Sequence, residues 1–139
     1  MDRVWLGLEI GTQGVRAAVF DAGGERLSAG RARRPPRSPE AGAMIHLPEL
    51  DWWGGAREAL AEALSGVRSE RIAGVGLAGL FPAVCLATTE GHALSEGILY
   101  GDRRGVTADD AVVPRLTRLL GILPEAALRD GIALGPAGY

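Results

Sequence analysis

Two glycines, a hydroxyl and a carboxylate crowd into six residues near the start of the chain. Residues 9–14 are Glu-Ile-Gly-Thr-Gln-Gly, and apolar runs flank them on both sides. Glycine adopts the backbone conformations that tight turns require, so the stretch is typical of a hairpin turn. Successive backbone N–H groups in such a turn also form a concavity that binds anions. Both interpretations, a simple turn and a phosphate cradle, remain open from these residues alone.

The side chains around this turn suit a phosphate group together with a divalent cation. Thr12 adds a hydroxyl donor to the backbone amides, and Glu9 places a carboxylate at the end of the preceding apolar run. Mg²⁺ prefers oxygen ligands and keeps several of its waters, so one carboxylate can orient it. We therefore consider Glu9 a candidate ligand for hydrated Mg²⁺.

The composition limits the classes of function. The chain has 139 residues, which suits one domain, and its net charge is −2. This balance argues against a general nucleic-acid-binding protein, which is usually basic. All 15 basic residues are arginine, so no lysine can form a Schiff base. Cys85 is the only cysteine, which excludes an internal disulfide and a cysteine-based zinc site.

The chain also lacks the patterns that direct proteins to membranes or out of the cell. It contains no run of 18 apolar residues, and its first residues do not resemble a signal peptide. We therefore expect a soluble, cytoplasmic protein that binds neither membranes nor nucleic acid.

Apolar patterning predicts a mixed sheet with helices added. Three antiparallel strands joined by tight turns open the chain, and a helix beginning at an Asp51 cap follows them. The segment 31–42, rich in proline and arginine, is predicted to be a solvated loop, with a phosphate-binding role for its arginines as the alternative. The predicted strands are 4–9, 15–21, 26–33, 72–77, 83–87 and 97–100, and the predicted helices are 52–67, 107–120 and one starting at Pro124.

Residues 74–79 match the dinucleotide-binding pattern Gly-x-Gly-x-x-Gly, but their context is wrong. In that motif the glycines follow a strand and open a helix. Here only a short apolar stretch precedes them, and Pro82 follows within an apolar run. We interpret the segment as a glycine-rich strand that another element or a ligand approaches closely.

Four segments in register resemble the FGGY carbohydrate kinases of the xylulokinase type. "WLGLEIGTQGVRAAVF" resembles the family's opening strand, phosphate turn and second strand. "DWWGGAREALAEAL", "RIAGVGLAGLFPAV" and "LSEGILYGDRRG" resemble its first helix, a glycine-rich strand and an aspartate-bearing segment. The resemblance implies an α/β fold of the actin-like ATPase type with ribonuclease-H-like halves, of which residues 1–139 form an N-terminal part. It also implies phosphorylation of a sugar or polyol hydroxyl, with ATP and Mg²⁺ bound in a cleft.

The resemblance carries over to individual positions of this sequence. The family's phosphate turn and the basic position after it fall on residues 11–16, and its sugar-contacting segment falls on residues 80–82. The implied nucleotide- and metal-binding residues are Glu9, Gly11, Thr12, Gln13, Gly14 and Arg16, with Glu9 as the metal-orienting group. The implied substrate-binding residues are Leu80, Phe81, Pro82, Asp102 and Arg103.

Three departures qualify what the resemblance implies. Glu9 replaces the family's aspartate and is one methylene longer, which disturbs turnover more than metal binding. Apolar residues 80–82 replace polar sugar contacts, so we expect a substrate other than xylulose. His46 falls in a segment that is usually acidic in the family, and we expect it to be a surface loop residue.

The family's general base lies beyond the part that this chain resembles, so we assign no catalytic residue and expect the chain alone to be inactive. The alternative is a non-catalytic remnant that binds a sugar or a phosphate. Another kind of actin-like ATPase, such as a chaperone or a filament protein, is a weaker alternative, because the segment 98–104 does not resemble the sequences of those proteins. If elements are missing, exposed apolar surface should also favour self-association.

Overall fold

The computed structural model describes residues 3–104. A four-stranded sheet organises this part of the chain. Its strands are β1 (Val4–Gly11), β2 (Gly14–Phe20), β3 (Arg26–Arg33) and β5 (Ile72–Gly79), in the order β3-β2-β1-β5. The first three strands pair antiparallel, and β5 pairs parallel to β1. The predicted mixed sheet is therefore confirmed, and the two further helices predicted at 107–120 and from Pro124 lie outside the described residues.

Helical segments and a second, smaller sheet complete the described part. A π-helical segment over Pro48–Gly54 leads directly into helix α1 (Gly55–Ala63), and a short 3₁₀ turn covers Ser69–Arg71. Three short strands, β4 (Ile45–His46), β6 (Ala83–Val84) and β7 (Gly97–Leu99), form the second sheet in the order β4-β7-β6.

One face of the main sheet packs against α1 and forms the core. Alternate residues of β1 and β2 point to this face, and small alanines of α1 cover them. Gly30 of β3 allows the closest approach, because a Cβ there would overlap the Ala59 carbonyl oxygen of α1. The residues buried in this core are Val4, Leu6, Val15, Ala17, Val19, Ala56, Ala59 and Ala63. We call the opposite face of the sheet, which faces away from α1, the outer face.

The start of the helix differs from the prediction. Asp51 does not cap α1, since the helical conformation already begins at Pro48, a residue suited to a first helical position. Asp51 is buried instead, and its Oδ2 accepts a hydrogen bond from the Leu47 amide at 2.6 Å. The carboxylate therefore reaches back to the chain entering the helix, a contact that the sequence pattern did not specify.

The glycine-rich segment 74–79 lies entirely within β5. Since no helix opens at these glycines, the rejection of a dinucleotide-binding motif is confirmed. Within residues 3–104, the helices are too short or too polar to traverse a bilayer.

Candidate functional site

The hairpin between β1 and β2 reverses the chain over two residues, Thr12 and Gln13. Gly11 and Gly14 face each other as the last pair of the ladder. Gly14 has a φ of +143°, and a Cβ there would overlap the Ala32 carbonyl oxygen of β3. The turn therefore needs glycine at position 14 for both its backbone conformation and its packing.

A hydrogen bond from the end of β3 fixes the position of this turn. The amide of Arg34, just after β3, donates a hydrogen bond to the Gln13 carbonyl oxygen at 3.0 Å. The turn is thus held from one side, while Gln13 stays exposed and Thr12 and Gly14 are partly exposed. This leaves polar groups of the turn accessible to a ligand, as a phosphate cradle requires.

Charged side chains follow the turn on the outer face of the sheet. Glu9 of β1, Arg16 of β2 and Arg31 of β3 lie directly opposite one another across the three strands. The Glu9 Oε2 lies 3.5 Å from the Arg16 Nε, and both side chains are largely exposed. An exposed ion pair of this kind contributes about 0–1 kcal/mol, so the Glu9 carboxylate can exchange its partner at small cost.

These residues fit the implied nucleotide and metal. Mg²⁺ in nucleotide sites is commonly held by one or two carboxylates together with substrate phosphates, so Glu9 beside the turn is a sufficient protein contribution. Within residues 3–104, no cluster of three or more metal-ligating side chains occurs. Glu9, which precedes the turn on β1, is the carboxylate that would hold hydrated Mg²⁺ there.

The topology brings the segment 80–82 to the same edge of the sheet as the turn. Strands β1 and β5 run parallel, and Ile10 pairs with Gly79, so both strands end at this edge. Leu80, Phe81 and Pro82 follow immediately, and the Phe81 side chain is 93% exposed. The residues that the resemblance associates with phosphate and with sugar are therefore neighbours at one edge.

His46 lies close to the backbone of Thr12 in the turn, and the prediction that it is a surface loop residue is wrong. The side chain is fully buried, and its Nδ1 accepts a hydrogen bond from the Trp52 Nε1 at 2.9 Å. Its Nε2 has no hydrogen-bond partner of good geometry, although the backbone carbonyls of Thr12 and Arg34 lie close enough to affect its charge. Burial lowers the pKa of His46, which outweighs the opposing effect of nearby Asp51. His92, in contrast, is exposed in a turn as predicted.

Asp102 is buried, and its carboxylate is fully engaged. Its Oδ2 accepts hydrogen bonds from the Met44 amide at 3.0 Å and from the Arg104 Nη2 at 2.7 Å, and its Oδ1 accepts one from the Arg104 amide at 3.0 Å. The guanidinium of Arg104 is the main reason that the pKa of Asp102 falls to about 2. Arg103 is exposed, and its amide donates to the Gly42 carbonyl oxygen at 2.6 Å.

Apart from Arg104, the hydrogen-bond partners of the Asp102 carboxylate and of the Arg103 amide lie in the segment 42–44 and not in the turn. In this structure Asp102 anchors that segment, and a substrate contact by it stays a prediction. Arg31 and Arg33 lie in the predicted strand 26–33 and also at the start of the segment 31–42, which was expected to be a solvated loop. Both lie on β3 at alternate positions with buried Ala32 between them, and this alternation favours the strand.

Solved structures with a similar fold include several carbohydrate kinases. They include a xyloylose kinase from Brucella ovis, with 27% identity and a TM-score of 0.67 over 86% of this chain and 26% of that chain. A xylulose kinase from Rhodospirillum rubrum has 26% identity and a TM-score of 0.70 over 91% of this chain and 25% of that chain. A glycerol kinase from Plasmodium falciparum, determined with ADP, has 13% identity and a TM-score of 0.62, covering 94% of this chain and 31% of that chain, and shows the fold alone.

These neighbours confirm the predicted resemblance to FGGY-type carbohydrate kinases and the predicted partial actin-like ATPase fold. The chain spans about a quarter of the length of the two xylulose-type kinases. No protein-family model and no curated protein sequence matches the chain.

Proposed function

We propose that this chain serves the ATP-dependent phosphorylation of a sugar or polyol hydroxyl, as the phosphate-binding part of a carbohydrate kinase. The observation that supports this most is the glycine-bounded turn 11–14, which lies at the sheet edge where β5 also ends. The likeness to xylulose-type kinases at 26–27% identity adds to it.

In this proposal the turn and its neighbours neutralise and position the phosphates. The amides of residues 11–14 and the Thr12 hydroxyl donate hydrogen bonds to phosphate oxygens, and Arg16 adds positive charge next to them. Glu9 would hold hydrated Mg²⁺, which when bound neutralises charge on the phosphoryl group that is transferred. Positioning and charge neutralisation are the main contributions of a protein to this reaction.

The sugar would lie against the segment 80–82. Leu80, Phe81 and Pro82 offer an apolar wall, so a substrate with fewer hydroxyls facing this wall, or with an apolar edge, is favoured over xylulose. Arg103 is exposed and available for a polar contact, whereas Asp102 would act by fixing the segment that carries Arg103.

A second candidate is a binding protein that retains the phosphate site without turnover. Two observations favour it: Glu9 replaces a shorter carboxylate, and the Asp102 carboxylate is occupied by Arg104. Sugar-dependent release of ADP from the purified chain would exclude this candidate. Binding of Mg-ATP without such release would support it over an active kinase.

Calorimetric titration with Mg-ATP tests the phosphate site itself. Thr12→Val removes a hydroxyl donor next to the phosphates and should weaken binding by about tenfold, the effect of one hydrogen bond to a charged group. Thr89→Val, which removes an exposed hydroxyl that donates to Glu90 and not to the turn 11–14, is the matched control and should leave binding unchanged. Equal affinities of the two variants, or no Mg-ATP binding by the unmodified chain, would contradict the proposal.

A further inference from the structure

Three arginines stand beside the turn on the outer face of the sheet. Arg16 of β2 lies directly opposite Arg31 of β3, and Arg33 lies directly opposite Gly14. Because Gly11 and Gly14 carry no side chains, Arg33 flanks bare backbone at the end of the hairpin. Two residues along a strand are roughly 7 Å apart, so the positive charges cover more than the width of one phosphate.

These arginines line a cavity. Its volume is about 550 Å³, and it opens at the side of the hairpin where β3 forms an outer strand. Buried Val15 and Ala32 form the part of its wall that belongs to the core. The polar lining consists of Gln13, Gly14, Arg16, Arg31 and Arg33.

The charge around this cavity is positive. Glu9 pairs with Arg16 at 3.5 Å, and the Glu62 Oε2 accepts a hydrogen bond from the Arg31 amide at 2.9 Å. Among the described residues, no ion pair within 4.0 Å involves the guanidinium of Arg31 or of Arg33. Like charges placed directly opposite each other on neighbouring strands destabilise a sheet, so this arrangement becomes favourable when an anion lies between them.

We propose that Arg31 and Arg33 extend the turn 11–14 into a site for a polyphosphate chain, with Arg16 as the third cation. The identification of the chain as the β- and γ-phosphates of a nucleotide rests on the proposed function. The arginine site itself does not, because it depends only on the cross-strand charges and the cavity. Its ligand class is two or three linked phosphates in preference to a single phosphate.

The test titrates the full-length chain with tripolyphosphate, with Mg-ATP and with inorganic phosphate. Arg31→Gln/Arg33→Gln should weaken tripolyphosphate binding by about tenfold or more for each arginine removed, as expected for charge-assisted hydrogen bonds. Arg57→Gln is the matched control, since it removes the same charge from the exposed surface of α1. Circular dichroism and thermal melting of each variant establish that the fold is retained, and Arg31→Lys/Arg33→Lys should restore part of the affinity.

The outcomes separate this inference from the proposed function. Tripolyphosphate binding that is lost in the glutamine double variant but kept in Arg57→Gln supports the arginine site, even if Thr12→Val has no effect on Mg-ATP. Mg-ATP binding that depends on Thr12 but not on Arg31 and Arg33 overturns the arginine site and leaves the proposed function standing. Binding of inorganic phosphate as tight as that of tripolyphosphate, or an equal loss in the control, also overturns it.

Discussion

Asp102 is a buried carboxylate whose pKa is strongly lowered and whose role in this structure is structural. Hydrogen bonds from the Arg104 guanidinium, and then from the Met44 and Arg104 amides, hold the pKa of Asp102 at about 2 against its usual 3.8. The same contact raises the pKa of Arg104. A carboxylate with a lowered pKa stabilises the folded chain above pH 3.8, and this contribution is lost as the pH falls toward 2.

Asp102→Asn should remove this pH-dependent contribution. The difference between the two pKa values corresponds to about 2 kcal/mol in the free energy of unfolding. The stability difference between the unmodified chain and the variant should therefore shrink by about that amount as the pH falls from above 3.8 to about 2. Urea titrations at several pH values measure it, and a difference that stays constant over this range would show that Asp102 is not held as an ion pair.

Single residues were predictable where the backbone decides their role. Glycines on both sides of residues 12 and 13 predicted a tight turn, and the structure adds that Gly14 has a positive φ and that the Ala32 carbonyl oxygen leaves no room for a Cβ there. The burial of His46 could not be predicted, because it depends on Trp52, which approaches only when the π-helical segment folds over it. Local sequence contains no information on that approach.

At the scale of elements, the π-helical segment Pro48–Gly54 is linked to the turn through His46. Its Trp52 donates to His46, and its Asp51 binds the Leu47 amide and forms an ion pair with Arg37. Since Trp52 donates to Nδ1, neutral His46 carries its proton on Nε2. The segment thus connects the helix to the underside of the candidate phosphate site.

This arrangement predicts a loss of stability in mild acid. Burial lowers the pKa of His46 below its usual 6.5, despite Asp51 nearby and with a small added effect of Arg37. The unfolded chain therefore binds a proton more readily, and stability decreases as the pH falls through about 6.5 toward the pKa of the folded state. His46→Gln keeps a donor and an acceptor but does not titrate, so its stability should vary less with pH.

Chemical denaturation from roughly pH 7.5 to roughly pH 5 measures this slope. His92→Gln, which replaces an exposed histidine in a turn, is the control and should follow the unmodified chain. A slope that survives in His46→Gln but not in His92→Gln would refute the assignment.

Elements were predicted best where the apolar alternation was regular. Strand β3 begins and ends where predicted, and β1, β2 and β5 differ only at their ends. The predicted helix start was wrong because Asp51 was expected to be the cap, whereas the helical conformation already begins at Pro48. The parallel pairing of β5 with β1, which brings residues 80–82 to the turn, is a long-range contact that no local pattern specifies.

At the scale of the whole molecule, several large apolar side chains are exposed, and some of them lie on β5. Val75 and Leu77 of β5 are 63% and 72% exposed, and β5 is an outer strand of the described sheet. Leu86 and Leu94 are also exposed. Outer strands with apolar side chains favour association, and lysine on such a strand is a common protection.

Leu77→Lys should therefore increase the monomer fraction of the purified chain at high concentration. Leu27→Lys on β3, the other outer strand of the described sheet, is the control, because Leu27 lies between Arg26 and Ser28 and not in an apolar patch. Sedimentation equilibrium measures the association. If the unmodified chain is monomeric throughout, or if both variants dissociate equally, β5 is not the associating surface.

We propose that the backbone amides of residues 11–14 receive the phosphates of a nucleotide. Two-dimensional ¹⁵N NMR of the chain during titration with Mg-ATP tests it most directly, with adenosine as the control ligand that lacks phosphates. We predict that Mg-ATP shifts the amide signals of Gly11, Thr12, Gln13 and Gly14 and that adenosine leaves them in place. Unchanged signals at these four residues while others in the chain shift would contradict the claim.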